Sequence, residues 1–186
     1  MIFREVEDRD LILRARQGDV DSYNLLVSRW EKRVFNYLLK LVGDRDDAMD
    51  LAQEVFLKAY QNLRKLEDPG RFAPWLFRIA HNEAHSLLRR NRPETAIDEA
   101  AQRWADPGST RRLLPIDVSL AVERAMERLS TDQREAVALK IYQGFKFEEM
   151  AEILSCPVST VKSRVYAGLE LLREALAPAP TGGNQS

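Results

Sequence analysis

The sequence has one cysteine, Cys156, and two histidines, His81 and His85. A lone thiol excludes an internal disulfide and fits a reducing cytosol. His81 and His85 share a helix face at i, i+4, as zinc ligands do. A metalloprotease, however, places Glu directly after the first His, and here that position is Asn82. With no third histidine, and with Cys156 in a different block, the pair does not read as a zinc enzyme. There is no Gly-rich phosphate loop, nucleophile elbow or metal cluster, so no enzyme class is supported and no cofactor is expected. No apolar run approaches the roughly 18 residues that span a bilayer. Residues 1–10 hold Glu5, Glu7, Asp8 and Asp10 without an apolar stretch, so they do not read as a signal peptide. Net charge is also missing: 28 Lys and Arg against 29 Asp and Glu leave −1. Any case for nucleic acid must therefore rest on where the cations sit. The expectation is a cytoplasmic protein without membrane insertion.

What is present is helical periodicity. Alternating β-branched runs are absent, and apolar residues recur at i, i+3, i+4, i+7 almost throughout. The expected fold is all-α, with two small helical domains: residues 1–92, a flexible Pro/Gly-bearing linker over 93–115, residues 116–177, and a disordered tail over 178–186. In the first block a short helix ends at Gly18. A second, capped by Asp21 or Ser22, buries Tyr23, Leu26, Val27, Trp30, Val34, Tyr37, Leu38 and Leu41 and stops at Gly43. Asp44 caps a third, whose stripe is Ala48, Leu51, Ala52, Val55, Ala59 and Leu63. Pro74 suits the first turn of a fourth that ends near Arg90. In the second block Ser130 and Gln133 make a capping box. That helix runs to Gln143-Gly144, and helices over 147–154 and from Val158 onward follow, the last with an inner stripe of Val158, Val161, Val165, Leu169, Leu172 and Leu176.

Three polar constellations stand out. Asp47, Asp50 and Glu54, with Gln53 beside them, give one helix side a negative face suited to a positive partner helix. The segment 63–92 concentrates Arg64, Lys65, Arg71, Arg78, Arg89, Arg90 and Arg92, interleaved with Phe72, Trp75 and Phe77. Its last helix presents Trp75, Arg78, Asn82, His85, Ser86 and Arg89 opposite the buried stripe. Cations that track phosphates beside rings that hold unstacked bases suit single-stranded nucleic acid. In the second block, a short helix, the turn Ser155-Cys156-Pro157 and a longer helix form a helix-turn-helix. It offers Ser159, Thr160, Lys162, Ser163, Arg164 and Tyr166 outward to base edges and phosphates. Cys156 reads as a packed turn residue.

These segments resemble a known family. Asp47-Ala48-Met49-Asp50-Leu51-Ala52-Gln53-Glu54-Val55-Phe56-Leu57-Lys58-Ala59-Tyr60 resembles region 2.2 of bacterial sigma factors. Phe72-Ala73-Pro74-Trp75-Leu76-Phe77-Arg78-Ile79-Ala80-His81-Asn82, continuing to Leu88-Arg89-Arg90, resembles regions 2.3 and 2.4. The run from Phe147 to Arg164 resembles region 4.2. Order and spacing resemble the extracytoplasmic-function group over nearly the whole chain.

The resemblance implies a transcription initiation factor with no enzymatic activity of its own. Asp47, Asp50, Gln53 and Glu54 would dock on the β′ coiled coil of core RNA polymerase, and the second domain would meet the β flap. Arg64, Lys65, Arg71, Trp75, Arg78, Asn82, His85, Ser86, Arg89 and Arg90 would engage the −10 element, with a flipped non-template base held by the loop over 62–71. Ser159, Thr160, Lys162, Ser163, Arg164 and Tyr166 would read the −35 duplex. The linker would thread through the polymerase, and an anti-sigma factor is an implied partner. Ser86 stands where the family commonly has Asp, and His81 where Arg is usual. Ala167, Gly168 and Leu169 stand where Arg-Ala-Arg is frequent, and Lys146 replaces a capping Ser. Two alternatives use part of the pattern: a helix-turn-helix regulator acting without polymerase, and a sigma mimic that binds only an anti-sigma factor.

Overall fold

Several helix boundaries in the computed structural model, which describes residues 6–91 and 116–177, have a local cause. Helix α1 (Asp8–Arg16) gives way to a turn at Gly18, whose φ of 97° is open to glycine. Helix α2 (Val20–Val42) is capped by Asp19, not by Asp21 or Ser22: its carboxylate accepts the Ser22 N–H at 3.1 Å and the Ser22 hydroxyl at 2.7 Å. Asp21 and Ser22 already lie within the first turn, so the capping position falls before them. Gly43, at φ 74°, ends α2 and donates its N–H to the Leu39 carbonyl. Asp44 caps α3 (Arg45–Asn62) by accepting the Asp46 and Asp47 N–H groups at 2.9 and 3.0 Å. Two short 3₁₀ turns, Leu63–Lys65 and Pro69–Arg71, lead into α4 (Phe72–Arg90). Pro74 sits in its first turn, where the missing N–H costs nothing.

The second group comprises α5 (Ile116–Glu127), α6 (Thr131–Val137), α7 (Phe147–Leu154) and α8 (Val158–Leu176). The Ser130/Gln133 capping box opens α6. The helix then widens into a π-helical stretch, Ala138–Tyr142, before Gly144 at φ 76° turns the chain. At α7 the Glu149 carboxylate accepts the Lys146 N–H at 2.8 Å, which supplies half of a capping box without a serine. No strand occurs among the described residues, so the all-α expectation holds. Residues 93–115 and 178–186 lie outside them.

The two helical groups share one core. Tyr37, Phe77, Ala80 and Ala84 are continuous with Ala136, Leu139, Phe145, Met150 and Ile153. The Phe77 and Phe145 rings meet nearly edge-on, centroids 5.0 Å apart, a geometry worth about 0.5–1.5 kcal/mol beyond area burial. Phe72 and Phe77, interleaved in sequence with the basic residues, are buried in this core. Across the same seam Arg33 donates to the Gln143 carbonyl at 2.9 Å and to its side-chain oxygen at 3.1 Å. The Lys40 ammonium lies 4.1 Å from the centre of the Tyr142 ring. A satellite cluster of Met126, Leu129 and Val137 packs against Leu169 and Leu172 of α8. Gly168 is buried there, and a Cβ at that position would stand 2.8 Å from Val137 Cγ2. Backbone proximity thus explains the glycine. Leu176, expected on the inner stripe, is exposed because it lies in the last turn of α8.

Candidate nucleic-acid interface

Helix α3 places Asp50 and Gln53 fully outward, while Asp47 and Glu54 are half-buried. Glu54 lies 3.4 Å from the Lys58 ammonium, which also pairs with Glu83 on α4 at 2.7 Å. Lys58 therefore offsets part of the negative face. The polar pattern alone overlooks Met49 and Leu57, which are exposed on the same side. Their signal is in the sequence: both fall off the Ala48–Leu51–Ala52–Val55–Ala59 stripe, so neither can face the core. The surface is thus a carboxylate and amide centre flanked by apolar side chains.

Between the end of α3 and α4 runs an open groove of ≈ 380 Å³, lined by Lys58, Asn62, Lys65, Trp75, Arg78, Ile79, Asn82 and Glu83. It gathers Lys65, Trp75, Arg78 and Asn82. Trp75 is shared between groove and core: it packs on Phe72, ring centroids 6.0 Å apart. Arg64 is exposed on the preceding turn, and Arg89 and Arg90 are exposed in the last turn of α4, where cations suit the helix dipole. Ser86 is half-buried. The other two members are drawn elsewhere. Arg71 pairs with Glu152 of α7 at 2.5 Å, and His85 pairs with Glu135 of α6 at 2.8 Å. Neither is an unengaged strand contact, because the second helical group occupies them.

The helix-turn-helix is α7, a turn, and α8. Ser155 takes φ 50°, a left-handed conformation that favours glycine, to reverse the chain. Val161 and Val165 anchor α8, leaving Ser159, Lys162, Ser163 and Tyr166 exposed and Thr160 half-buried. Arg164 departs from the expectation. It turns back to Asp132 at 2.5 Å, with its guanidinium 3.9 Å from the Cys156 sulfur, because its position borders the buried stripe. Cys156 is a half-buried packing residue, its thiol pushed up by burial. Phe147 adds an element that spacing did not reveal. Its ring lies between the Lys140 and Lys162 ammonium groups, at 4.6 and 5.5 Å, with the Tyr166 ring at 6.2 Å. A basic patch floored by aromatic rings results.

Among the described residues Glu135 is the most buried charged side chain, 1 % exposed between the two helical groups. One carboxylate oxygen accepts the Tyr37 hydroxyl at 2.5 Å and lies 2.7 Å from His81 Nδ1; the other lies 2.8 Å from His85 Nε2. Burial pushes the Glu135 carboxyl up, but the hydrogen bonds from His81 and His85 outweigh it and hold the group at about 2. The Glu135 hydrogen bond raises His85 above its ordinary value.

Comparison with known proteins agrees with this geometry. The model of Sigma-70 region 2 matches residues 26–94, and that of Sigma-70 region 4 matches residues 119–172. The chain belongs to the sigma-70 family. Among relatives, the RNA polymerase sigma-H factor of Pseudomonas aeruginosa is 33% identical over 183 residues, covering 92% of this chain and 95% of that one. The ECF RNA polymerase sigma-E factor of Escherichia coli K12 is 32% identical over 185 residues, 94% and 96% of the two chains. This sigma factor is therefore of the extracytoplasmic-function group. In three dimensions it is similar to CnrH, solved with the cytosolic domain of CnrY: TM-score 0.68, 26% identity, over 91% of this chain and 96% of that one. It is also similar to the sigma factor RpoE of Bartonella quintana, solved with the anti-sigma factor NepR: TM-score 0.67, 26% identity, over 83% and 96%. The likeness spans both helical groups. No helix among the described residues is long and apolar enough to cross a membrane.

Proposed function

We propose that this sigma factor divides promoter recognition among three surfaces and acts on core RNA polymerase in the cytoplasm. The α3 face (Asp47, Asp50, Gln53 and Glu54, with Met49 and Leu57) docks on the polymerase. The groove of Lys65, Trp75, Arg78 and Asn82, extended by Arg64, Arg89 and Arg90, takes the −10 non-template strand, with Trp75 as the ring against an unstacked base. A stacked base is worth roughly 1–3 kcal/mol, enough to return the few kcal/mol of taking it out of the duplex. The Lys162, Ser163 and Tyr166 end of α8 enters the major groove of the −35 element. Held on one polymerase, two modest DNA readers act at high mutual effective concentration, which suits a chain with almost no net charge. The carrying observation is the groove, where three cations (Lys58, Lys65 and Arg78), two amides and the Trp75 ring outnumber the single carboxylate of Glu83.

Arg71 and His85 are engaged by the second helical group in the free chain, so those contacts open before the −10 strand binds there. The RpoE relative, solved with the anti-sigma factor NepR, supports an anti-sigma partner for this chain. The function as a whole is tested by run-off transcription with core polymerase. Asp50→Ala/Glu54→Ala should lose polymerase binding, whereas Lys162→Ala/Ser163→Ala should retain it and lose upstream-element recognition. Equal transcription by both variants and the wild type would refute the assignment.

A further inference from the structure

We propose that His81, His85 and Glu135 form a binding site for a divalent transition-metal ion of the zinc class, clamping α4 to α6. The three ligand atoms lie within 4.8 Å of one another, two imidazole nitrogens from one turn-spaced pair and a carboxylate from the other helical group. Two His and one Glu is a donor set of three-ligand zinc sites that leave a fourth position for water. The carboxylate is buried, and both histidine nitrogens already converge on it. The neighbouring guanidinium of Arg134 is turned away, onto the carbonyls of Met126 and Leu129 at 3.1 Å and of Glu127 at 3.2 Å. The Tyr37 hydroxyl already donates to the carboxylate oxygen that faces His81, as an outer-shell partner does for a metal ligand. His81 and His85 are 16% and 29% exposed, so the site has an opening to solvent.

Zinc bonds of about 2.0–2.1 Å in tetrahedral geometry set ligand atoms about 3.4 Å apart. His81 Nδ1 lies 2.7 Å from one carboxylate oxygen and His85 Nε2 2.8 Å from the other, contacts that would widen by less than an ångström, while the widest ligand separation, at most 4.8 Å, would close by about 1.4 Å. Each imidazole would present a lone pair to the ion and carry its proton on the opposite ring nitrogen, and a protonated ring would release one proton to solvent.

Isothermal titration calorimetry of the chelator-treated full chain with zinc sulfate tests the site, alongside visible absorption with Co²⁺. One-to-one binding with the strong bands of four-coordinate cobalt is expected. His85→Ala and Glu135→Gln, one in each helical group, should each weaken zinc at least tenfold, and Tyr37→Phe by about tenfold. Should Glu135→Gln fail to fold, His85→Ala on the part-exposed ring still decides the matter. No saturable binding at micromolar metal, or unchanged affinity in His85→Ala, would overturn the proposal and leave a hydrogen-bonded contact alone.

Discussion

Replacing Glu135 by Ala should uncouple the two helical groups, and the size of the loss follows from what each partner would retain. The Tyr37 side chain is fully buried, so its hydroxyl would have no acceptor, a penalty of about 1–3 kcal/mol. His81 and His85 are part-exposed and can turn to water, so each loses only about 0.5–1.5 kcal/mol. Removing the carboxylate also relieves its desolvation, which offsets part of this. A net destabilisation of about 2–4 kcal/mol is expected. Urea unfolding followed by far-ultraviolet circular dichroism in metal-free buffer measures it. Tyr37→Phe, alone and combined with Glu135→Ala, completes a double-mutant cycle in which the pair should couple by more than about 1 kcal/mol. Additive effects, or a Glu135→Ala loss below about 1 kcal/mol, would refute the view that this carboxylate ties the groups together.

Further outcomes follow from local geometry. Ser155→Gly should stabilise the chain by about 1 kcal/mol, read as a higher unfolding midpoint, because Ser155 holds a left-handed φ. Gly168→Val should destabilise by about 1–3 kcal/mol in the same assay, since its side chain would drive into Val137 across the α6–α8 contact. Asn82→Ala combined with Lys65→Ala should weaken open-complex formation on promoter DNA and reduce its salt dependence, measured by permanganate footprinting at several salt concentrations. An unchanged footprint would remove the groove from the strand path.

Much of this was legible in the sequence because helix ends are written locally. Gly43, Asp44, Ser130 and Gly144 each act within a few residues of themselves, and the structure places them where periodicity does. The acidic face of α3 and the basic-aromatic segment were equally visible, since a stripe that buries Ala48, Leu51 and Val55 fixes what lies opposite. Tertiary partners were not. The sequence sets Phe72 and Phe77 among cations but does not reveal that Trp30 and Phe145 pack on them. Arg164 looks free until Asp132 is found beside it. The His81/His85 pair was plain at i, i+4, but the carboxylate that completes it lies 50 residues from His85, on a different helix. Contacts at such separation leave no periodic trace.

The central claim is that the α3 face joins this chain to core RNA polymerase. Fluorescence anisotropy of the labelled full chain, titrated with core polymerase at moderate salt, tests it most directly. Saturable one-to-one association is expected, and it should be lost in Asp50→Ala/Glu54→Ala while Lys162→Ala/Ser163→Ala binds as the wild type does. Failure of the wild-type chain to associate, or full binding by the α3 variant, would contradict the account.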